Sequence, residues 1–123
     1  TWTITIHKDA EDDHKVWFDN LYNNPGWVAP NTRFYGVVND DKTFINIPFG
    51  QETEYKYSNG MPVVLWGLTS ELYSIETGSM DVAIIVENSN VSLDFGDESG
   101  FWVRIKDTGN LGIILPGITA VKN

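Results

Sequence analysis

An antiparallel β-sandwich, jelly-roll-like and filling a single domain, is the fold class that the sequence predicts. Three observations predict it. The dominant hydrophobic period is two: Trp2, Ile4 and Ile6 alternate with Thr3, Thr5 and His7, as in a strand with one buried face. Apolar runs rich in β-branched and aromatic residues recur at intervals of roughly 8–12 residues, with turn residues between them. No window of about 11 residues or more carries a clean 3.6-residue period. The length of 123 residues suits one domain whose core needs neither metal nor disulfide.

After the first alternating run, strands are expected at Lys15–Asp19, Phe34–Val38, Thr43–Phe49, Pro62–Gly67, Glu71–Ile75, Val82–Glu87, Val91–Phe95, Phe101–Lys106 and Leu111–Val121. Asn39-Asp40-Asp41-Lys42 reads as a hairpin turn, and Asn59-Gly60 and Thr108-Gly109-Asn110 supply residues that tolerate positive φ. Between Asp9 and Tyr22 the apolar residues Val16, Trp17, Phe18, Leu21 and Tyr22 come closest to a helical pattern, and one short helical turn is expected there. Two polar stretches read as long loops: Asn20–Arg33, which holds Trp27, and Gly50–Met61, which holds Tyr55 and Tyr57. Loops on a rigid β scaffold are common places for binding residues.

Composition excludes several functions. Eight basic against 17 acidic residues give a net charge of −9, which opposes nucleic-acid phosphates and anionic lipid surfaces. No apolar run is long enough to span a membrane. The absence of cysteine removes thiolate, disulfide and iron–sulfur chemistry. The first residues alternate and show no basic region followed by an apolar stretch, so no signal peptide is read and the compartment stays open, secreted or cell-surface settings included. There is no phosphate-binding glycine loop, no G-x-S-x-G elbow and no H-E-x-x-H. His7 reads as the polar member of an alternating strand and His14 as a solvated loop residue. Paired carboxylates could serve glycoside hydrolysis, but no pair is picked out by spacing. No enzyme activity is therefore expected.

The segment from Val82 to Ile105 is the most informative: VAIIVENSNVSLDFGDESGFWVRI. A strand leads into a loop crowded with Asn88, Asn90, Asp94, Asp97, Glu98 and Ser99, with Gly96 and Gly100 allowing tight turns. Calcium takes about 6–8 such oxygen ligands, although this spacing is not that of an EF-hand. The alternative is a polar turn between two strands. Over this segment the chain resembles the small calcium-dependent, galactose-binding lectins of bacteria, which are single-domain β-sandwiches of similar length. Phe95-Gly96-Asp97-Glu98-Ser99-Gly100 stands where they carry an aromatic-Gly-Asn-Asn-Ser-Gly turn. The resemblance implies calcium held by the side chains of Asp97 and Glu98, with Asn90 as an upstream ligand and Asp94 contributing a backbone carbonyl. The chain departs from that pattern in having Ser92-Leu93 for Pro-Gly, Asn90 for an acid and Glu98 for an Asn.

Sixteen aromatic residues (five Trp, five Tyr, six Phe) exceed what the strand patterns need for packing. Trp17 and Phe18 are neighbours, so in a strand they face opposite sides and one is expected at the surface. Exposed rings beside Asn and Asp are the ingredients of a sugar site, and Trp27, Tyr55, Tyr57, Asn90 and Asp97 are the candidate ligand contacts. The expected function is a carbohydrate-binding protein, a lectin or binding module, calcium-dependent through Asn90, Asp94, Asp97 and Glu98, recognising neutral glycans and acting as a homo-oligomer for avidity. The alternatives are a structural or protein-interaction sandwich, such as an adhesin or assembly component, and a membrane-active toxin subunit.

Overall fold

Side-chain alternation along extended backbone builds both layers of this protein. The computed structural model describes residues 4–19, 21, 33–56, 60–107, 109–114 and 119–121. All regular structure among them is β-strand, so no helix there is long and apolar enough to cross a membrane. The helical turn expected between Asp9 and Tyr22 is absent from the described part of that stretch. The Asp9 carboxylate instead accepts hydrogen bonds from the backbone N–H groups of Glu11 (2.9 Å) and Asp12 (3.1 Å), making a tight loop that feeds a strand.

The strands are β1 (Thr5–Lys8), β2 (Lys15–Asp19), β3 (Phe34–Val38), β4 (Phe44–Pro48), β5 (Gln51–Lys56), β6 (Pro62–Thr69), β7 (Ser74–Ile75), β8 (Ser79–Glu87), β9 (Asn90–Asp94), β10 (Ser99–Ile105), β11 (Gly109–Ile114) and β12 (Thr119–Val121). One sheet has the order β1-β2-β3-β4-β8-β9-β12 and the other β11-β10-β6-β5, with β7 also paired to β6. Neighbouring strands are antiparallel throughout. The antiparallel β-sandwich is thus the observed architecture.

The inward faces meet in one core. Val16, Phe18, Phe34, Ile45, Ile47, Met80, Val82 and Leu93 come from the first sheet, and Val63, Leu65, Phe101, Val103 and Ile114 from the second. Phe101 is fully buried and meets Phe95 (centroids 6.2 Å) and Phe49 (6.4 Å) edge to face. Gly67 is required at its place on β6, because a Cβ there would overlap the Phe49 ring.

The chain changes sheets at three described corners: Phe49–Gly50, Glu76–Gly78 and Phe95–Glu98. At the last, Phe95 anchors in the core, Gly96 has φ +78° and the Asp94 carboxylate accepts the Gly96 N–H at 2.9 Å. At the expected Asn39–Lys42 turn, the Asn39 side-chain oxygen accepts the N–H groups of Thr43 (2.8 Å) and Phe44 (3.0 Å).

Two sequence expectations are corrected. The stretch Gly50–Met61 is not one irregular loop, because β5 occupies its first half with Thr53 and Tyr55 turned inward and Glu52, Glu54 and Lys56 outward. Leu111–Val121 is not one strand but parts of two, β11 and β12, which lie in different sheets.

Candidate functional site

Among the described residues a concavity lies where the outer face of β2 and β3 meets strand β5. It is a cavity of about 340 Å³ lined by Lys15, Trp17, Arg33, Tyr35, Gln51, Glu52, Thr53 and Glu54. Because β2 buries Val16 and Phe18, it must turn Lys15, Trp17 and Asp19 outward. Trp17 and Tyr35 are directly opposed across β2 and β3. Their rings are 5.7 Å apart and inclined at 58°.

Each wall is held by a nameable contact. The Trp17 indole N–H donates to Asp9 Oδ2 at 2.8 Å. That bond, reinforced by the backbone donors of Glu11 and Asp12, holds the Asp9 carboxyl below the usual carboxylate range. The Lys15 ammonium sits in the notch between the rings, 4.5 Å from the Trp17 centroid and 4.6 Å from that of Tyr35. Arg33 is fixed by Asp19, which receives its Nε and, at 3.2 Å, its terminal nitrogen. His7 Nε2 lies 2.7 Å from Asp19 Oδ2. Burial disfavours the ionised Asp19, but the bonds from Arg33 and His7 outweigh it and hold the carboxyl low.

Gln51 ties the two layers together at this point. The Tyr35 N–H donates to Gln51 Oε1 at 2.8 Å, and Gln51 Nε2 donates to the carbonyls of Tyr35 and Pro48 at 3.0 Å each. On the β5 wall Glu52 bonds Lys106 Nζ at 2.7 Å, a contact that raises the Lys106 pKa. No ion pair among the described residues involves Glu54. The cavity therefore sets cationic donors, Lys15 and Arg33, against acidic acceptors, Glu52 and Glu54, over an aromatic floor.

The residues singled out from sequence are placed elsewhere. Trp27 and Tyr57 lie outside the described residues. Tyr55 is half-buried and packs against the core. Asn90 opens β9 beside the β8–β9 turn, whereas Asp94 closes it. Four residues of strand put them about 13 Å apart, too far to share one calcium with ligand distances of about 2.3–2.6 Å. Asp94, Asp97 and Glu98 do share the β9–β10 corner, where all three are exposed. Among the described residues no group of three or more His, Asp or Glu converges as a metal site.

Sequence reasoning missed the cavity as a site. Its one signal is the Trp17–Phe18 pair, which the strand turns to opposite sides, with Phe18 buried and Trp17 half-buried. Nothing local announced that Tyr35 and β5 would complete it. Comparisons with protein-family models, curated proteins and solved structures returned no match.

Proposed function

We propose that this protein binds carbohydrate without catalysis, and that the cavity over Trp17 and Tyr35 is the recognition site. The observation that carries this reading is the facing of donors and acceptors across an aromatic floor. Sugar hydroxyls both donate and accept, so a ring seated there can bond Lys15 on one side and Glu54 on the other, the two lining charges with no ion pair among the described residues. The parts of the indole and phenol that Lys15 does not cover offer an apolar surface to its C–H groups. The volume lies within the roughly 300–1,000 Å³ of ordinary ligand pockets. Opposed charges within the site, and a net charge of −9, suit a neutral glycan.

The likeness of residues 82–105 to calcium lectins supports the same class. The calcium it implies belongs to this proposal through Asp94, Asp97 and Glu98, without Asn90 on the same ion. Lectin use also requires several sites per particle. Val37, Phe44 and Ile85, all exposed on the outer face of the first sheet, are the surface through which copies would associate.

A glycan array probed with calcium and again with chelator tests the reading. Binding is expected, and the Trp17→Ala variant should lose about tenfold or more in affinity while its melting temperature stays within a few degrees. Loss with chelator would bring the β9–β10 corner into the site. Retention would leave recognition to the cavity alone. No binding by folded protein in either condition overturns the proposal.

A further inference from the structure

The outward face of the second sheet carries an arginine that no carboxylate among the described residues pairs with. Trp66 on β6 and Trp102 on β10 are directly opposed, with ring centroids 6.0 Å apart and planes at 88°. Arg104 lies opposite Val64, one row away, and brings its guanidinium carbon to 4.4 Å from the Trp66 centroid and 5.3 Å from that of Trp102. Its Nε is buried without a hydrogen-bond partner, and among the described residues no carboxylate pairs with it. What sets Arg104 apart from the other cations without an ion pair is its stacking between two indoles with Nε buried, whereas the neighbouring Lys106 finds Glu52. Stacking on an indole leaves the guanidinium donors in plane, and with Nε buried it is the terminal N–H groups that meet an acceptor arriving at the edge.

We propose that Trp66, Trp102 and Arg104 form a second subsite, which takes the carboxylate of an acidic sugar on Arg104 while the indoles pack against the sugar ring. The inference rests on the glycan reading of the cavity and extends it. Glu52 lines the cavity and is paired with Val64, which is paired in turn with Arg104. Two interstrand steps, about 10 Å, therefore separate Arg104 from the Glu52 wall of the cavity, so that one oligosaccharide can reach from the cavity to Arg104. The planar guanidinium edge matches the two oxygens of one carboxylate. At about 0.15 M salt the screening length is about 8 Å, so Arg104 governs a ligand at its edge more than the distant net negative charge does.

The test is isothermal titration with a neutral xylo-oligosaccharide that carries a single glucuronic acid and with the methyl ester of that acid, which keeps the rings and removes the one charge. The acid is expected to bind about tenfold more tightly than the ester. Arg104→Gln should bring the acid down to the affinity of the ester and leave the ester unchanged, while Trp17→Ala should weaken both. If Arg104→Gln does not fold, the wild-type protein still decides, since the preference for the acid must shrink as salt is raised to about 0.5 M. Equal binding of acid and ester, or a preference indifferent to salt and to Arg104, overturns the subsite and leaves the cavity reading standing. Binding of neither form overturns the subsite as well, and the array result then decides the cavity reading separately.

Discussion

Asp19 joins β1, β2 and the start of β3 through one carboxylate, because it accepts from both His7 and Arg33 with only 19% of its side chain exposed. Its folded pKa lies below its unfolded value near 3.9, so the stability it contributes is present above that value. That contribution is lost as pH falls through the lowered folded pKa. Asp19→Asn should cost about 1–3 kcal/mol at neutral pH and flatten the loss of stability below about pH 4. Urea midpoints followed by tryptophan fluorescence across pH 2–7 (a range of about five units) would show it, and parallel acid limbs for the two proteins would refute it. Residues of this kind were only half legible in sequence. His7 was read as a polar strand member, which it is, but its partner is 12 residues away and is set by the β1–β2 register.

At the scale of elements, β8 and β9 form a hairpin in which Glu87 faces Asn90, leaving Asn88 and Ser89 as a two-residue loop. Both carry positive φ, 51° and 69°, the geometry of a type I′ turn. Serine pays a steric cost there that glycine does not. Ser89→Gly is therefore expected to stabilise the protein by about 0.5–1 kcal/mol, read as a rise in melting temperature. A fall would mean that the serine hydroxyl contributes more than the backbone cost. Period-two patterning made β2 and β3 legible to the residue, because their inward positions are plainly apolar. It hid β5, whose inward residues include Gln51 and Thr53 and whose outward row is charged. It also merged β11 with β12, since a run of apolar residues does not show that the chain has left one sheet for the other. The aromatic side of the candidate site follows from β2 and β3 and was partly legible. The acidic wall follows from β5 and was not.

Across the whole molecule, sheet pairing gathers apolar residues that lie far apart in sequence. Val37 pairs with Asn46, Phe44 with Ala83 and Ile85 with Ser92, which sets Val37, Phe44, Ala83 and Ile85 on one outer face. Phe44 leaves 45% of its surface exposed there. If copies meet through this face, Phe44→Glu should shift the particle mass in light scattering from an oligomer to a monomer of 13.8 kDa and leave the circular dichroism unchanged. A wild-type mass already at 13.8 kDa would remove the face from consideration. Among the described strands, β1 and β12 lie at the edges of the large sheet. On β1, Lys8 is paired opposite the inward Val16, a placement of charge that discourages strand addition on that side.

The amide of Gln51 takes the place of a neighbouring strand for Tyr35, whose own backbone it bonds in both directions. Protection of the Tyr35 amide proton from solvent deuterium thus depends on one side chain at the edge of the other layer. Any event that parts β5 from β3 exposes that proton while the β2–β3 ladder stays closed. Tyr35 is in this way a built-in reporter of separation at the seam that holds the cavity.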